Sequence, residues 1–216
     1  GGAGGRHDGI GNPYISTVGA GGTGNGGGLA CFGSGQLIAC TFSANTSTGG
    51  QGGRADSERH DGGEGGDAIG GGVTLQNTLK MTNCTVHGNS AHGGQGGENI
   101  YGIHGVYGAG LGGLGGGASG GGVASVGSGQ LQLTSATVIG NAATGGNGGT
   151  SIEEPFNTVV RSYGGAADGG GVLHQGISAS IRNAIIAGNA VAPGIELSSV
   201  PAGPDVLGTI TSQGHN

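Results

Sequence analysis

Apolar positions along this chain fall into short alternating runs, and four sets of these runs repeat as a unit. The clearest copy opens at Gly120-Gly121-Gly122-Val123 and passes through Leu131, Leu133, Thr137, Val138 and Gly140 to Asn141. Gly26-Gly27-Gly28-Leu29 leads in the same way to Asn45, Gly70-Gly71-Gly72-Val73 to Asn89, and Gly169-Gly170-Gly171-Val172 to Asn189. The copies occupy 26–45, 70–89, 120–141 and 169–189, which is 20, 20, 22 and 21 residues. A period of two, rather than three or four, is that of strands with one buried face. In the third copy Leu131 and Leu133 share a face, Thr134-Ser135 turns the chain, and Ala136 and Val138 face inward. Aligned on the Asn, the inward columns read Cys40, Cys84, Ala136, Ala184 and Phe42, Val86, Val138, Ile186. Like stacks on like, and one unit cannot bury its apolar side alone. Stacking at the strand spacing of about 4.8 Å joins those sides into one core.

The pattern therefore predicts an all-β solenoid: a single domain over 1–216 with about four coils. Between the copies lie insertions at 1–25, 46–69, 90–119 and 142–168, and a tail follows at 190–216 with one weak strand, Val206 to Thr211. The fixed column Asn45, Asn89, Asn141, Asn189 has two readings. It is a turn residue that tolerates unusual backbone angles, or an inward ladder in which each amide bonds the next. The constancy of its position favours the ladder, which would make the sequons at Asn45 and Asn83 poor glycosylation sites.

The Gly-Gly-Gly-apolar opening, the Thr-apolar-x-Gly-Asn closing and the roughly 21-residue unit resemble the repeats of right-handed parallel β-helix proteins, the pectate-lyase-like superfamily of bacterial secreted and surface proteins. The resemblance covers 26–192 in pieces. It implies the fold and an extracellular or cell-surface location, and it carries no particular activity. The segment from Pro204 to Asn216 is similar to one that follows the last repeats of surface-anchored members. In those relatives the chain usually continues, so the C-terminus reads as cut or processed.

Composition changes this picture in one respect. With 61 glycines and 33% hydrophobic residues among 216, the chain would not support a conventional globule. Much of that glycine sits in blocks where the insertions leave and return, such as Gly49-Gly50-Gln51-Gly52-Gly53, Gly93-Gly94-Gln95-Gly96-Gly97 and Gly62-Gly63-Glu64-Gly65-Gly66. Two such legs per coil would pack as polyproline-II-like strands, because backbones without Cβ atoms approach closely; the alternative is a set of flexible linkers. Repetition in register favours packing. The net charge of −6 with 8% charged residues excludes a nucleic-acid footprint, and no run of 18 apolar residues provides a membrane span. Cys31, Cys40 and Cys84 have no metal-ligand spacing. They read as small buried hydrophobes, with a disulfide between neighbouring coils or within one left open.

Charge sorts between scaffold and insertions. The four copies contain no Asp or Glu and only Lys80 and Arg182 as fixed charges, whereas ten of the twelve acidic residues and all four tyrosines lie in insertions. Contacts with other molecules are therefore expected there. Arg6-His7-Asp8-Gly9 recurs as Arg59-His60-Asp61-Gly62, and Arg59, His60 and Asp61 are weak catalytic candidates that could hold an anionic sugar or transfer a proton. The competing reading is a solvated tip. Gly62 to Ile69 matches one calcium-binding nonapeptide, with Asp67 as the weak metal candidate, but such sites need tandem units. No other cofactor is expected.

The superfamily's hydrolase pattern (Asn-Thr-Asp, Asp-Asp, Gly-His-Gly) and its lyase pattern (Trp-Ile-Asp-His) are both absent, and Glu153-Glu154 would point oppositely in an extended segment. An ice-binding Thr array fails where Thr41, Thr85, Thr137 gives way to Ile185. The resulting expectation is a structural or adhesive segment of a secreted or surface protein, partnered by further coils or copies of itself. The alternative is a protein that binds or cleaves polysaccharide through its insertions, a lyase or glycoside hydrolase.

Overall fold

In the computed structural model, residues 1–5, 18–56, 60–100, 103–104, 110–154, 158–195 and 201–216 are described. They form an all-β structure without a helix among them. Five stacks of parallel strands make up the body, consistent with a β-helix-like solenoid. One stack holds Leu29–Cys31, Val73–Leu75, Val123–Ser125, Val172–His174 and Val206–Leu207. The next holds Gly35–Ile38, Leu79–Thr82, Gln130–Thr134, Ser178–Arg182 and Ile210–Ser212. Thr41–Ser43, Thr85–His87, Thr137–Ile139 and Ile185–Ala187 follow. Register places Phe42 on Val86, Val138 and Ile186, the column order that the inward alternation predicts. Rung-to-rung offsets of 44, 52 and 48 residues follow from Thr41 on Thr85, Thr85 on Thr137 and Thr137 on Ile185.

Two further stacks lie outside the boundaries that the spacing predicts. Thr46–Thr48, Ser90–His92, Ala142–Thr144 and Ala190–Ala192 pair in parallel immediately after the Asn column. Gly24–Asn25, Ala68–Ile69, Ala118–Ser119 and Ala167–Asp168 pair just before the glycine triplet. Their inward residues are small, and Ala68, Ala91, Ala118, Ala143 and Ala167 form a separate alanine core. Alanine gives little hydrophobic contrast, which is why these strands read as insertion. The tail also departs from expectation: in place of one weak strand it supplies two short parallel strands, which continue two of the stacks.

Corners are set by left-handed backbone. Gly26, Gly70, Gly120 and Gly169 open the copies at φ +58, +64, +63 and +59, and Ala44, Gly88, Gly140 and Gly188 precede the Asn column at φ +53, +62, +64 and +65. A third corner, Ala39, Asn83, Ser135 and Asn183, lies near φ +50 without a glycine. The left-handed region costs an L-residue roughly 1–2 kcal/mol, so glycine recurs at two of the three corners.

The main core joins Val73, Leu75, Leu79, Met81, Cys84, Val86, Val123, Leu131, Leu133, Ala136, Val138, Val172, Ala179 and Ala184, all buried. Leu29, Leu37, Cys40 and Phe42 occupy the same columns in the first coil yet are only half-buried. All three cysteines are free thiols.

Candidate functional site

The Asn column is an inward ladder. Asn45 donates from its backbone N and its Nδ2 to Asn89 Oδ1, each at 2.9 Å. Asn89 does the same to Asn141 Oδ1, and Asn141 to Asn189 Oδ1. The second Nδ2 proton of Asn89 goes to Phe42 O, of Asn141 to Val86 O and of Asn189 to Val138 O, each one coil back. Asn89, Asn141 and Asn189 are buried, so these bonds satisfy groups that water does not reach. Asp205 ends the ladder, with Oδ1 accepting from Asn189 N at 3.0 Å and Nδ2 at 2.9 Å. It was legible in principle: Gly203-Pro204-Asp205-Val206 aligns with Gly169-Gly170-Gly171-Val172, and Val206 pairs with Val172.

Beside the coils, the glycine legs are packed in a three-residue rhythm, the period of a polyproline-II strand. In most Gly-Gly-x triplets the first N–H reaches the same leg one coil on, as in Gly52 to Gln95 O at 2.8 Å and Gly96 to Asn147 O at 2.9 Å. The second glycine bonds the opposite leg. One continuous chain runs Gly194, Gly165, Gly146, Gly116, Gly94, Gly66, Gly50, Gly22, Gly2, each N–H donating to the carbonyl of the next at 2.6–3.0 Å. Most glycines of these pairs are buried, and the x residues Gln51, Gln95 and Asn147 are exposed.

Against this frame the acidic candidates have structural partners. Asp61 Oδ1 accepts from Leu111 N at 2.7 Å and Asp67 Oδ1 from Gly117 N at 2.7 Å, while Asn147 Oδ1 accepts from Ile195 N at 3.0 Å. The rule is common to the three. In each, the backbone N–H of an x residue is bound by a short side-chain acceptor one coil earlier. His60 carries its backbone carbonyl to Asn99 Nδ2 at 2.7 Å. Arg59, like Arg6, His7, Asp8, Tyr14, Tyr101 and Tyr107, lies outside the described residues. Among the described residues no three His, Cys, Asp or Glu side chains come together in a way that could hold a metal ion. The insertion strands Thr150–Glu154 and Thr158–Arg161 form an antiparallel pair at the side of the stack, and Ile103–His104 joins it in parallel. Arg54 Nε contacts Asp56 Oδ1 at 3.3 Å.

One polar pair was not foreseen. In the column Cys31, Leu75, Ser125, His174, the last two place a buried hydroxyl beside a buried imidazole, with Nδ1 3.0 Å from Ser125 Oγ. Burial pushes the His174 imidazole below its ordinary value, and a backbone contact at Gly176 partly opposes the shift. Alternation shows that position 174 faces inward, but it cannot show that a histidine there would be tolerated. Compared with protein-family models, with curated proteins and with solved structures, the chain matches none.

Proposed function

We propose that the chain is a right-handed parallel β-helix of about four coils with polyproline-II-like glycine lobes, a non-enzymatic relative of the pectate-lyase-like superfamily. Its role is that of a structural or adhesive segment of a secreted or cell-surface protein, stacking coil on coil into a filament, stalk or surface layer. One observation carries this reading. The first-coil strands Leu29–Cys31, Gly35–Ile38 and Thr41–Ser43 have a partner on one side only among the described residues, and the core beneath them is half-exposed. Such an edge is a template for another coil. At the far end Ile185–Ala187 and Ala190–Ala192 are likewise outermost in their stacks. The acidic insertion residues add support, because Asp61 and Asp67 bind backbone amides of the next coil and so act in holding the lobes together. Electron microscopy of the purified protein, paired with an assay on acidic polysaccharides, tests the proposal. End-to-end fibres without depolymerisation are expected. Discrete monomers that degrade the polysaccharide would overturn it in favour of an enzyme using the insertions.

A further inference from the structure

All three cysteines of the chain lie in the first two coils, at the open end of the main core, and two of them stand in one column. Cys40 immediately precedes Thr41–Ser43 and Cys84 immediately precedes Thr85–His87, strands that pair in parallel with Thr41 on Thr85. Thr85 N donates to Cys40 O at 2.9 Å, so the two cysteines are neighbours across one coil-to-coil step. That step is about 4.8 Å. A disulfide spans Cα atoms about 4.4–6.8 Å apart, so the two backbones already stand at bridging distance. Cys84 Sγ lies 3.5 Å from Leu37 O and 3.3 Å from Thr82 O, the carbonyl that accepts from Ala39 N, so it leans toward the first coil. Cys40 Sγ makes the same contact with the carbonyl two residues back, 3.3 Å from Ile38 O, and so points off the open edge. Turning Cys40 about its Cα–Cβ bond brings its sulfur round to that of Cys84. We infer that Cys40 and Cys84 are a thiol pair that closes into an inter-coil disulfide and fastens the first coil to the second.

Position selects this pair. Cys31 has Leu75 as its neighbour on the next coil, and its sulfur sits 3.5 Å from a Cβ placed on Gly35, at one end of Gly35–Ile38. Cys40 follows the other end, about 10 Å along the strand, which is beyond bridging distance. The first coil is also where a cross-link has most to hold. Its strands have a partner on one side only among the described residues, and Leu29, Leu37 and Phe42 are half-buried where Val73, Met81 and Val86 beneath them are buried. At the opposite end of the same column Asn216 Oδ1 accepts from Ala184 N at 2.9 Å, so each end of the column carries its own fastening. The oxidant is a low-molecular-weight disulfide, RSSR. Half-buried Cys40 loses its proton and attacks one sulfur of RSSR, forming a mixed disulfide and releasing RS⁻. The Cys84 thiolate then attacks Cys40 Sγ, forming the bond between the coils and expelling the second RS⁻. The two thiol protons end on the two leaving thiolates, so the protein loses two protons and two electrons and RSSR becomes two RSH.

The cross-link lies within one chain and is independent of how chains assemble, so it stands or falls by its own test. The full chain is reduced, then exchanged into oxidised glutathione at low protein concentration. Thiols are counted with a chromogenic thiol reagent in denaturant, and the intact mass is measured. The count should fall from three to one, with the mass lower by two hydrogens and no glutathione retained. Cys31→Ala should fall from two thiols to none. Cys40→Ala and Cys84→Ala, which copy Ala136 and Ala184 of the later coils, should fold and form no internal cross-link. The amides of Gly35 and Ala39 donate to Thr78 O and Thr82 O of the second coil, and their hydrogen exchange should slow by roughly tenfold or more on oxidation. Those of Ser135 and Thr137, two coils on, should be unchanged, and a reducing agent should reverse the effect. If three thiols persist in the folded chain, if glutathione stays attached, if the bond joins Cys31 or two chains, or if the Gly35 and Ala39 amides do not slow, the inference is wrong.

Discussion

Adding a single methyl group to the glycine lobe should be among the most damaging small changes in this protein. Gly94 is buried between the legs, its N–H donating to Gly66 O at 2.8 Å and its carbonyl accepting from Gly116 N at 2.9 Å. A Cβ built there overlaps Gly50 O and lies 2.7 Å from the Gly50 carbonyl carbon and 2.9 Å from Gly66 N. All three are backbone atoms, so no side chain can swing aside. An ordinary carbon contact needs about 3.5 Å, which requires the legs to part by roughly 1 Å. At that separation a 2.8 Å hydrogen bond is no longer one. Two buried bonds are then stretched beyond use, at about 1–3 kcal/mol each, so Gly94→Ala should cost about 2–6 kcal/mol. Gly94 has no positive φ, so none of this loss comes from backbone strain. The neighbouring exposed Gln95→Ala is the control and should stay within about 0.5 kcal/mol of wild type. Urea unfolding followed by circular dichroism gives both values. If Gly94→Ala matched the control, the lobes would not be packed at these distances.

Other predictions follow from the ladder, the corners, the core and the buried histidine. Asn141→Ala removes the acceptor of two Asn89 donors and the Nδ2 donor to Asn189 Oδ1 and Val86 O, and should cost about 3 kcal/mol or more by urea unfolding; Asn45→Ala, which removes one side-chain donor and no used acceptor, should cost clearly less. Gly140→Ala at φ +64 should cost about 1–2 kcal/mol in thermal melts although nothing but the far edge of His87 lies near its Cβ. Val138→Asp should unfold the neighbouring coils, whereas substitution at Tyr163, 57% exposed, should leave the circular dichroism spectrum and melting point unchanged. For His174 the folded-state value is lowered, so the unfolded chain takes up the proton first. Stability should therefore be complete above about pH 6.5 and decline as the pH falls below it, until the folded-state value is passed. His174→Leu should remove that part of the slope from urea midpoints measured between about pH 7.5 and 5.5.

Much of the coil was legible in the amino-acid order because three local constraints repeat together. Phe42, Val86, Val138 and Ile186 must face inward, Gly88, Gly140 and Gly188 must turn left-handed, and the Asn that follows has backbone donors to satisfy. Each constraint is local, so spacing alone reveals it. The strands Ala142–Thr144 and Ala118–Ser119 were missed because alanine packing against alanine has no hydrophobic period to detect. Asp205 and the Ser125–His174 pair were missed for a different reason. Asp205 lies in a tail where only Gly203 and Val206 echo the glycine and apolar positions that open a copy, and the pair occupies a column, Cys31, Leu75, Ser125, His174, in which no two residues are alike. At the lobe, Asp61 and Asp67 read as weak catalytic and metal candidates, but their carboxylate oxygens, like the amide oxygen of Asn147, serve as backbone acceptors one coil apart. The candidate triad was readable only as a motif, since Arg59 lies outside the described residues.

The asparagine column also gives the stack an electrical direction. On Asn89, Asn141 and Asn189 two of the three ladder N–H bonds point toward the next coil, and every Oδ1 points back toward the one before. The side-chain amides are therefore dipoles laid head to tail, each polarising its neighbours in a low-dielectric interior. Their positive end emerges at Asn189, and there the chain places the carboxylate of Asp205. This is the arrangement that favours an anion at the start of an α-helix, built here from side chains in a protein without helices among its described residues. The opposite, negative end is the Oδ1 of Asn45, so the two faces of the stack differ in polarity and a neighbouring coil meets a different field at each.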